Sequence, residues 1–345
     1  MKHFTFYLLL FTLLLASCAP TPADPQTITI MTHDSFAIGE DVIKAFEAEN
    51  NAKVSFIQSG DAGSMLNQAI LTKDAPIADV IFGVDNTFLS RALEADIFEV
   101  YASPALNDIA AEFNLDSSNR ALPVDYGDVC INYDKKYFTE NNLAVPQSFE
   151  DLAKPEYKSL LVMENPATSS PGLAFLLATR AHFGDDYLDY WKTLKENGVV
   201  VVDGWETAYY TNFSASSGKG SQPMVVSYAS SPAAEVFFAS PAPIESPTAS
   251  IVASGMCFRQ IEFVGILKNG QNKALAQKIV DFMLSQQFQE DMPLNMFVYP
   301  VNKNAKLPEV FMKYAQVAES PAVLSYSEIA INRDAWIEAW TAAMK

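Results

Sequence analysis

The chain has 345 residues, 49% of them hydrophobic and 19% charged, enough for a large core spread over two lobes and too apolar for disorder. Its 41 acidic against 23 basic residues give a formal charge of −18, which argues against a nucleic-acid partner, since affinity there rests on cationic side chains replacing counterions. Only three histidines occur, His3, His33 and His182, so a histidine-rich metal enzyme is nearly excluded.

The first segment reads as an address. Lys2 and His3 precede an apolar run from Phe4 to Leu15, shorter than the ~20 residues that span a bilayer and of the length of a signal-peptide core. The following Leu15-Ala16-Ser17-Cys18 resembles the lipobox of bacterial lipoproteins. That resemblance implies removal of residues 1–17 and lipidation of Cys18, and hence an extracytoplasmic body tethered to a membrane by acyl chains. The three prolines of Ala19–Gln26 keep residues 18–26 an extended tether. Cys130 and Cys257 remain, an even number in an oxidising compartment; a bridge is open to them, but two buried thiols are the plainer reading.

The body alternates strand and helix. Thr27–Thr32 is a β-branched strand, Val42, Ile43 and Phe46 share one helical face, and Lys53–Gln58 is the next strand. A helix over Gly63–Leu71 and an apolar strand over Ala78–Gly83 follow. The rhythm restarts with a strand at Leu160–Met163, helices at Pro171–Phe183 and Asp185–Asn197, and a strand at Val199–Val202. Trp205–Phe213 reads as helix, Met224–Tyr228 as strand, and a helix starts at Ser231. Asp128–Asp134 and Ile261–Leu267 are lone strands suited to crossing between lobes, and Asn272–Leu284 and Glu328–Ala343 are amphipathic helices. This predicts an α/β protein of two doubly wound lobes, with any ligand in the cleft where their strand ends face each other. The expected lobes are residues 27–128 plus 258–345, and 129–257.

Candidate site residues stand where strands run into helices. Ser170, after Ser169, stands at the N-cap position before Pro171 and an apolar helix, the pattern of a capped helix start whose free amides suit an anion or polar group. Asp61 and Ala62 open another helix, where Asp61 either meets a ligand or caps its own helix. Trp205 follows a strand, where a large ring either stacks on a flat cation or joins the core. Tyr228 ends a strand and leads through Ala229, Ser230, Ser231 and Pro232 into a helix. His33 and Asp34 follow the first strand, and Phe297 lies in a short apolar run with Tyr299. No G-x-S-x-G elbow, Walker A loop, catalytic triad or metal-ligand spacing is found, so an enzyme is the weaker class.

Taken together, THDSF (32–36), ADVIFGVDN (78–86), VDYG (124–127), ENPATSSPGLAFLL (164–177), DGWETAY (203–209), VVSYASSPA (225–233) and VYPV (298–301) resemble the periplasmic thiamine-binding proteins of bacterial ABC transporters. The resemblance runs from residue 27 to the C-terminus and implies the type II binding-protein fold, no catalysis and no cofactor. It also implies a monomer that delivers thiamine or its phosphates to a membrane permease. It implies that Asp61 and Ala62 contact the ligand, that Ser169 and Ser170 hold a phosphate end, that Trp205 stacks, and that Tyr228–Pro232 form a wall. Three positions depart from the family: His33 replaces a tyrosine, Ala234 an aromatic and Phe297 a tryptophan. Other ligands on the same fold remain as alternatives. A polyamine would use Asp34, Asp61, Asp85 and Asp125, and ferric iron would use adjacent tyrosines such as Tyr209 and Tyr210. An extracytoplasmic enzyme or sensor is the alternative of a different class.

Overall fold

A computed structural model describes residues 24–215 and 219–345. The signal segment, Cys18 and most of the tether lie outside the described residues. Ten strands form one sheet: β1 (Gln26–Thr32), β2 (Ala52–Gln58), β3 (Val80–Asp85), β4 (Leu122–Asp134), β5 (Leu161–Glu164), β6 (Val200–Val202), β7 (Met224–Tyr228), β8 (Thr248–Ile251), β9 (Phe258–Ile266) and β10 (Tyr299–Pro300). Their order is β2-β1-β3-β9-β4-β7-β5-β6, with β8 and β10 also paired to β4. At each end the strands are parallel, β1 with β2 and β3, and β5 with β6 and β7. Between them β9 and β4 run antiparallel to each other and to their outer neighbours. The two parallel ends are the two lobes, and the long central strands join them.

The helices are α1 (Glu40–Asn50), α2 (Ala62–Leu71), α3 (Leu89–Glu94), α4 (Lys135–Glu140), α5 (Phe149–Leu152), α6 (Ser170–Phe183), α7 (Tyr187–Glu196), α8 (Ser231–Phe237), α9 (Lys273–Met283), α10 (Gln286–Asn295), α11 (Glu309–Tyr314) and α12 (Tyr326–Met344). None of the described helices is long and apolar enough to cross a membrane. One core packs α1, α9 and α10 on the first lobe through Phe46, Ile279 and Phe288. A larger one runs from Met31 and Leu66 through α6 to Trp191 and Trp340, so apolar packing is continuous between the lobes. Helix α6 is buried on every side from Ser170 to Thr179, which explains why its sequence is apolar all round.

Several expectations are corrected. Strand β4 begins at Leu122 and β9 at Phe258, well before their expected starts; Pro123 and Gly127 disguised the first, and a bulge between Pro123 and Asp125 accommodates the proline. Trp205–Phe213 is helical as expected but not a regular α-helix: Trp205 and Glu206 are α-helical and run into a π-helical stretch, Thr207–Asn212. Around Phe297 only Tyr299–Pro300 pairs as a strand, because Phe297 itself sits at φ 54°. Helix α12, placed with the first lobe by its position in the chain, packs on α7 of the second through Trp340 and Trp191, whose rings meet edge to face at 5.6 Å. Its buried stripe also carries a charge, Arg333. Cys130 and Cys257 are joined in a disulfide, where two thiols had been the plainer reading. Both lie at full burial on the crossing strands or beside them.

Candidate functional site

A cavity of about 620 Å³ opens between the lobes. Much of its wall is built from the strand-to-helix turns, the rest from β9 and the segments after α8 and α10. After β1 the chain turns at His33, whose ring lies against Gly83 of β3. Gly83 has φ +99°, and a Cβ there would fall 2.4 Å from His33 Cδ2, so this position admits no side chain while the imidazole stays. His33 Nδ1 is 3.0 Å from Ser35 Oγ, and Nε2 is 3.4 Å from Glu262 Oε1. Burial alone would lower the imidazole's pKa, but Glu262, with Asp61 and Asp34 beyond it, holds it above its ordinary value.

Asp61 caps its own helix and also reaches the other lobe. It caps α2, accepting from Ala62 N at 2.7 Å, and it also accepts from Trp205 N of the other lobe at 3.0 Å. Beside it, Thr168 O of the second lobe accepts from Gly63 N at 3.0 Å and Ser64 N at 3.3 Å. A Cβ on Gly63 would stand 2.8 Å from that carbonyl, so the glycine permits the approach. The start of α2 and the turn before α6 therefore meet across the cleft. Burial raises the pKa of Asp61, offset in part by Ser169 and by the Trp205 and Ala62 amides.

Trp205 is fixed at both ends, by that amide contact and by its indole Nε1, which donates to Ser227 Oγ at 2.9 Å. Tyr209 stacks on the indole at 4.9 Å between centroids and 21° between planes, and Tyr210 meets it edge-on. Tyr209 Oη donates to Glu235. Opposite, Tyr228 Oη donates to Gln260 Oε1 at 3.2 Å, and its ring covers Gly127. Phe238 reaches over the cavity to Phe297 at 5.4 Å.

Of the residues singled out by sequence, the cavity brings together His33, Asp34, Asp61, Ala62 and Ser170 with Trp205, Tyr228, Ser231 and Phe297. Four others are placed behind its wall. Ser169 is the N-cap residue of α6 and is buried beside Asp61; Ser170, expected as the cap, is the first helical residue. Ala229 packs with the Cys130–Cys257 bridge, Ser230 donates its hydroxyl to Phe297 O, and Pro232 opens α8. After Tyr228 the chain turns Ala229 and Ser230 away from the cavity and returns to it at Ser231. Sequence reasoning missed Glu262 and Gln260 of β9, Glu206, Glu235 and Phe238. Glu262 had a signal, an acid within an apolar strand (IEFVGIL).

The electrostatics of the wall are one-sided. Asp34, Asp61, Glu206, Glu235 and Glu262 line the cavity, and none of the described lining residues is a lysine or arginine. More carboxyls stand behind them. Burial raises Asp85 to about 7 and Glu164 well above the ordinary range, and burial with the adjacent Glu262 does the same to Asp125. The helix starts at Asp61 and Ser170, which would suit an anion, face Asp61 and Asp85 instead. Such a cavity suits a cation with flat rings. Among the described residues no cluster of three or more His, Cys, Asp or Glu could hold a metal ion.

Residues 75–317 match the family model of bacterial extracellular solute-binding proteins. The chain is 32% identical over 341 residues to the thiamine-binding periplasmic protein of Escherichia coli (strain K12), covering 96% of this chain and 97% of that one. A solved periplasmic thiamin binding protein superposes with a TM-score of 0.82 at 29% identity, over 93% of this chain and 97% of the other. A ferric binding protein from Campylobacter jejuni shares the fold, with a TM-score of 0.74 at 18% identity over 92% of this chain and 99% of its own.

Proposed function

The chain belongs to the bacterial extracellular solute-binding proteins, and from that premise we propose that it captures thiamine, free or phosphorylated, and delivers it to an ABC permease. The observation that carries this reading is the acidic, aromatic cavity, whose described lining holds no lysine or arginine. A quaternary thiazolium gains from Asp61 and Glu262 and from the face of Trp205, where cation–π attraction is worth ~0.5–2 kcal/mol. The hydroxyethyl arm would reach Ser170 at the start of α6. In this reading Ser169 positions Asp61 from behind and does not touch the ligand. The protein does no chemistry on the vitamin and needs no cofactor.

The lobes divide at residues 129 and 257, and their hinge is the pair of crossing strands β4 and β9. Closure brings Asp61 to Trp205 N and Thr168 O to α2, and the permease reads the closed form. Cys18 carries the lipid anchor that keeps the body at the outer face of the membrane, as a monomer. A polyamine is the second reading, supported by the five carboxylates of the wall. Ferric iron is disfavoured, because Tyr209, one of the adjacent pair, is committed to Trp205 and Glu235.

A ligand panel in a thermal melt tests this. At a hundredfold excess over its dissociation constant a ligand stabilises by about 2.7 kcal/mol, so thiamine should raise the Tm by several degrees. Its mono- and diphosphate belong in the panel, with spermidine and ferric citrate. A shift with spermidine and none with thiamine would replace the first reading by the second.

A further inference from the structure

Three carboxylates lie side by side across the middle of the sheet. Asp85 of β3 and Asp125 of β4 are both direct cross-strand partners of Glu262 on β9, and all three are buried. Like charges placed opposite one another weaken a sheet, so a folded protein keeps such a row only against a counter-charge or with protons bound. Glu262 is the member that reaches the cavity, and His33 stands against it at 3.4 Å.

We propose that Glu262 is the counter-charge for the ligand's cation and that His33 is the proton-bearing group the ligand discharges, so that binding releases a proton to solvent. This rests on the thiamine reading, because it needs a ligand whose positive charge is fixed. In the empty cleft the imidazolium neutralises Glu262. A quaternary cation entering the same cavity repels the imidazolium and takes over Glu262; the proton leaves His33 for the buffer, and no covalent bond to the ligand forms. His33 Nδ1 then accepts from Ser35 Oγ, already at 3.0 Å. The groups facing His33 are Glu262 on β9, Asp61 at the start of α2, Asp34 beside it in the chain and Glu206 after Trp205. Asp85 and Asp125 stand behind Glu262, and Phe36 and Phe82 pack against the ring. Together the acids hold the proton on His33 against the pull of burial, and Glu262 is kept below its ordinary value chiefly by His33 despite its own burial.

The sign follows from linkage. If the free protein holds a proton that the complex lacks, affinity rises with pH through the imidazole's titration, by at most about tenfold per pH unit for one proton, and is flat above it. Calorimetry with thiamine near neutral pH, in phosphate and in Tris, reads the proton directly, because the two buffers differ in ionisation enthalpy. The expected result is a buffer-dependent heat corresponding to part of one proton, absent in His33→Phe and absent with the neutral thiophene isostere of thiamine. Glu262→Gln should weaken thiamine by at least about tenfold and the isostere far less, and it carries the test if His33→Phe does not fold. Equal heats in both buffers with thiamine bound would overturn the inference alone. So would a His33→Phe protein that still releases the proton, which would assign it to the carboxylate row. Absence of thiamine binding by the wild-type protein would overturn the parent reading and this one with it.

Discussion

Trp205 is held within its own lobe by an indole contact to Ser227 and a stack on Tyr209, so its position owes little to the ligand. Trp205→Ala should therefore leave the far-ultraviolet circular dichroism unchanged and weaken thiamine by about 1–3 kcal/mol, roughly five- to 150-fold. Unchanged affinity would mean that the ring lines the cavity without touching the ligand. The buried acids make a second residue-scale prediction. Asp125 has its pKa raised by burial and by Glu262, so the folded state holds its proton more tightly than the unfolded chain. Stability is then lost as pH rises from the unfolded value through the folded one. Asp125→Asn removes that loss: its Tm should exceed wild type by about 2–4 °C at mildly alkaline pH and match it in acid. A variant destabilised equally at both ends of the range would show that Asp125 serves as a hydrogen-bond partner and not as a charge.

At the scale of elements, two links act on the crossing strands and the cleft. The Cys130–Cys257 bridge joins residues 127 apart in sequence and closes a stretch that contains β5, β6, β7 and β8. Replacing both cysteines by serine should cost about 2–5 kcal/mol in chemical denaturation, because the unfolded chain regains the freedom that the bridge removes. An unchanged midpoint would show that packing around Ala229 already holds the crossing strands. Gly63 allows α2 to approach Thr168 O, and Gly63→Ala should push the two apart and weaken thiamine without altering the fold. How far the elements were legible depends on their own signals. The short parallel strands and α6 announced themselves by apolar runs between caps. Strand β8 did not, since Thr248–Ile251 follows a proline-rich run, and β4 hid its first half behind Pro123 and Gly127. Within the site, turn residues such as Asp61, Ser170 and Trp205 were legible because ligands in α/β proteins meet strand ends. Ser169, Ala229, Ser230 and Pro232 were not separable from their neighbours, because which residue of a turn faces inward is set by backbone geometry. The pairing of Asp85, Glu262 and Asp125 depends on register between strands far apart in sequence, which no local pattern contains.

For the whole molecule, the central strands joining two lobes are the feature that turns a cavity into a receptor. A ligand that bridges Asp61 and Glu262 on one side to Trp205 and Ser170 on the other stabilises the closed arrangement by its differential contacts. Small-angle scattering should show the radius of gyration of ligand-stripped protein fall on adding thiamine and stay constant in Trp205→Ala; no change in the wild type would argue for a rigid binder. The most direct test is equilibrium calorimetry of ligand-stripped protein with thiamine, run beside Trp205→Ala. The expected result is a saturable one-to-one titration with wild type that is much weakened in the variant. No saturable heat with thiamine, from a protein that melts cooperatively, would contradict the assignment of this cleft to thiamine.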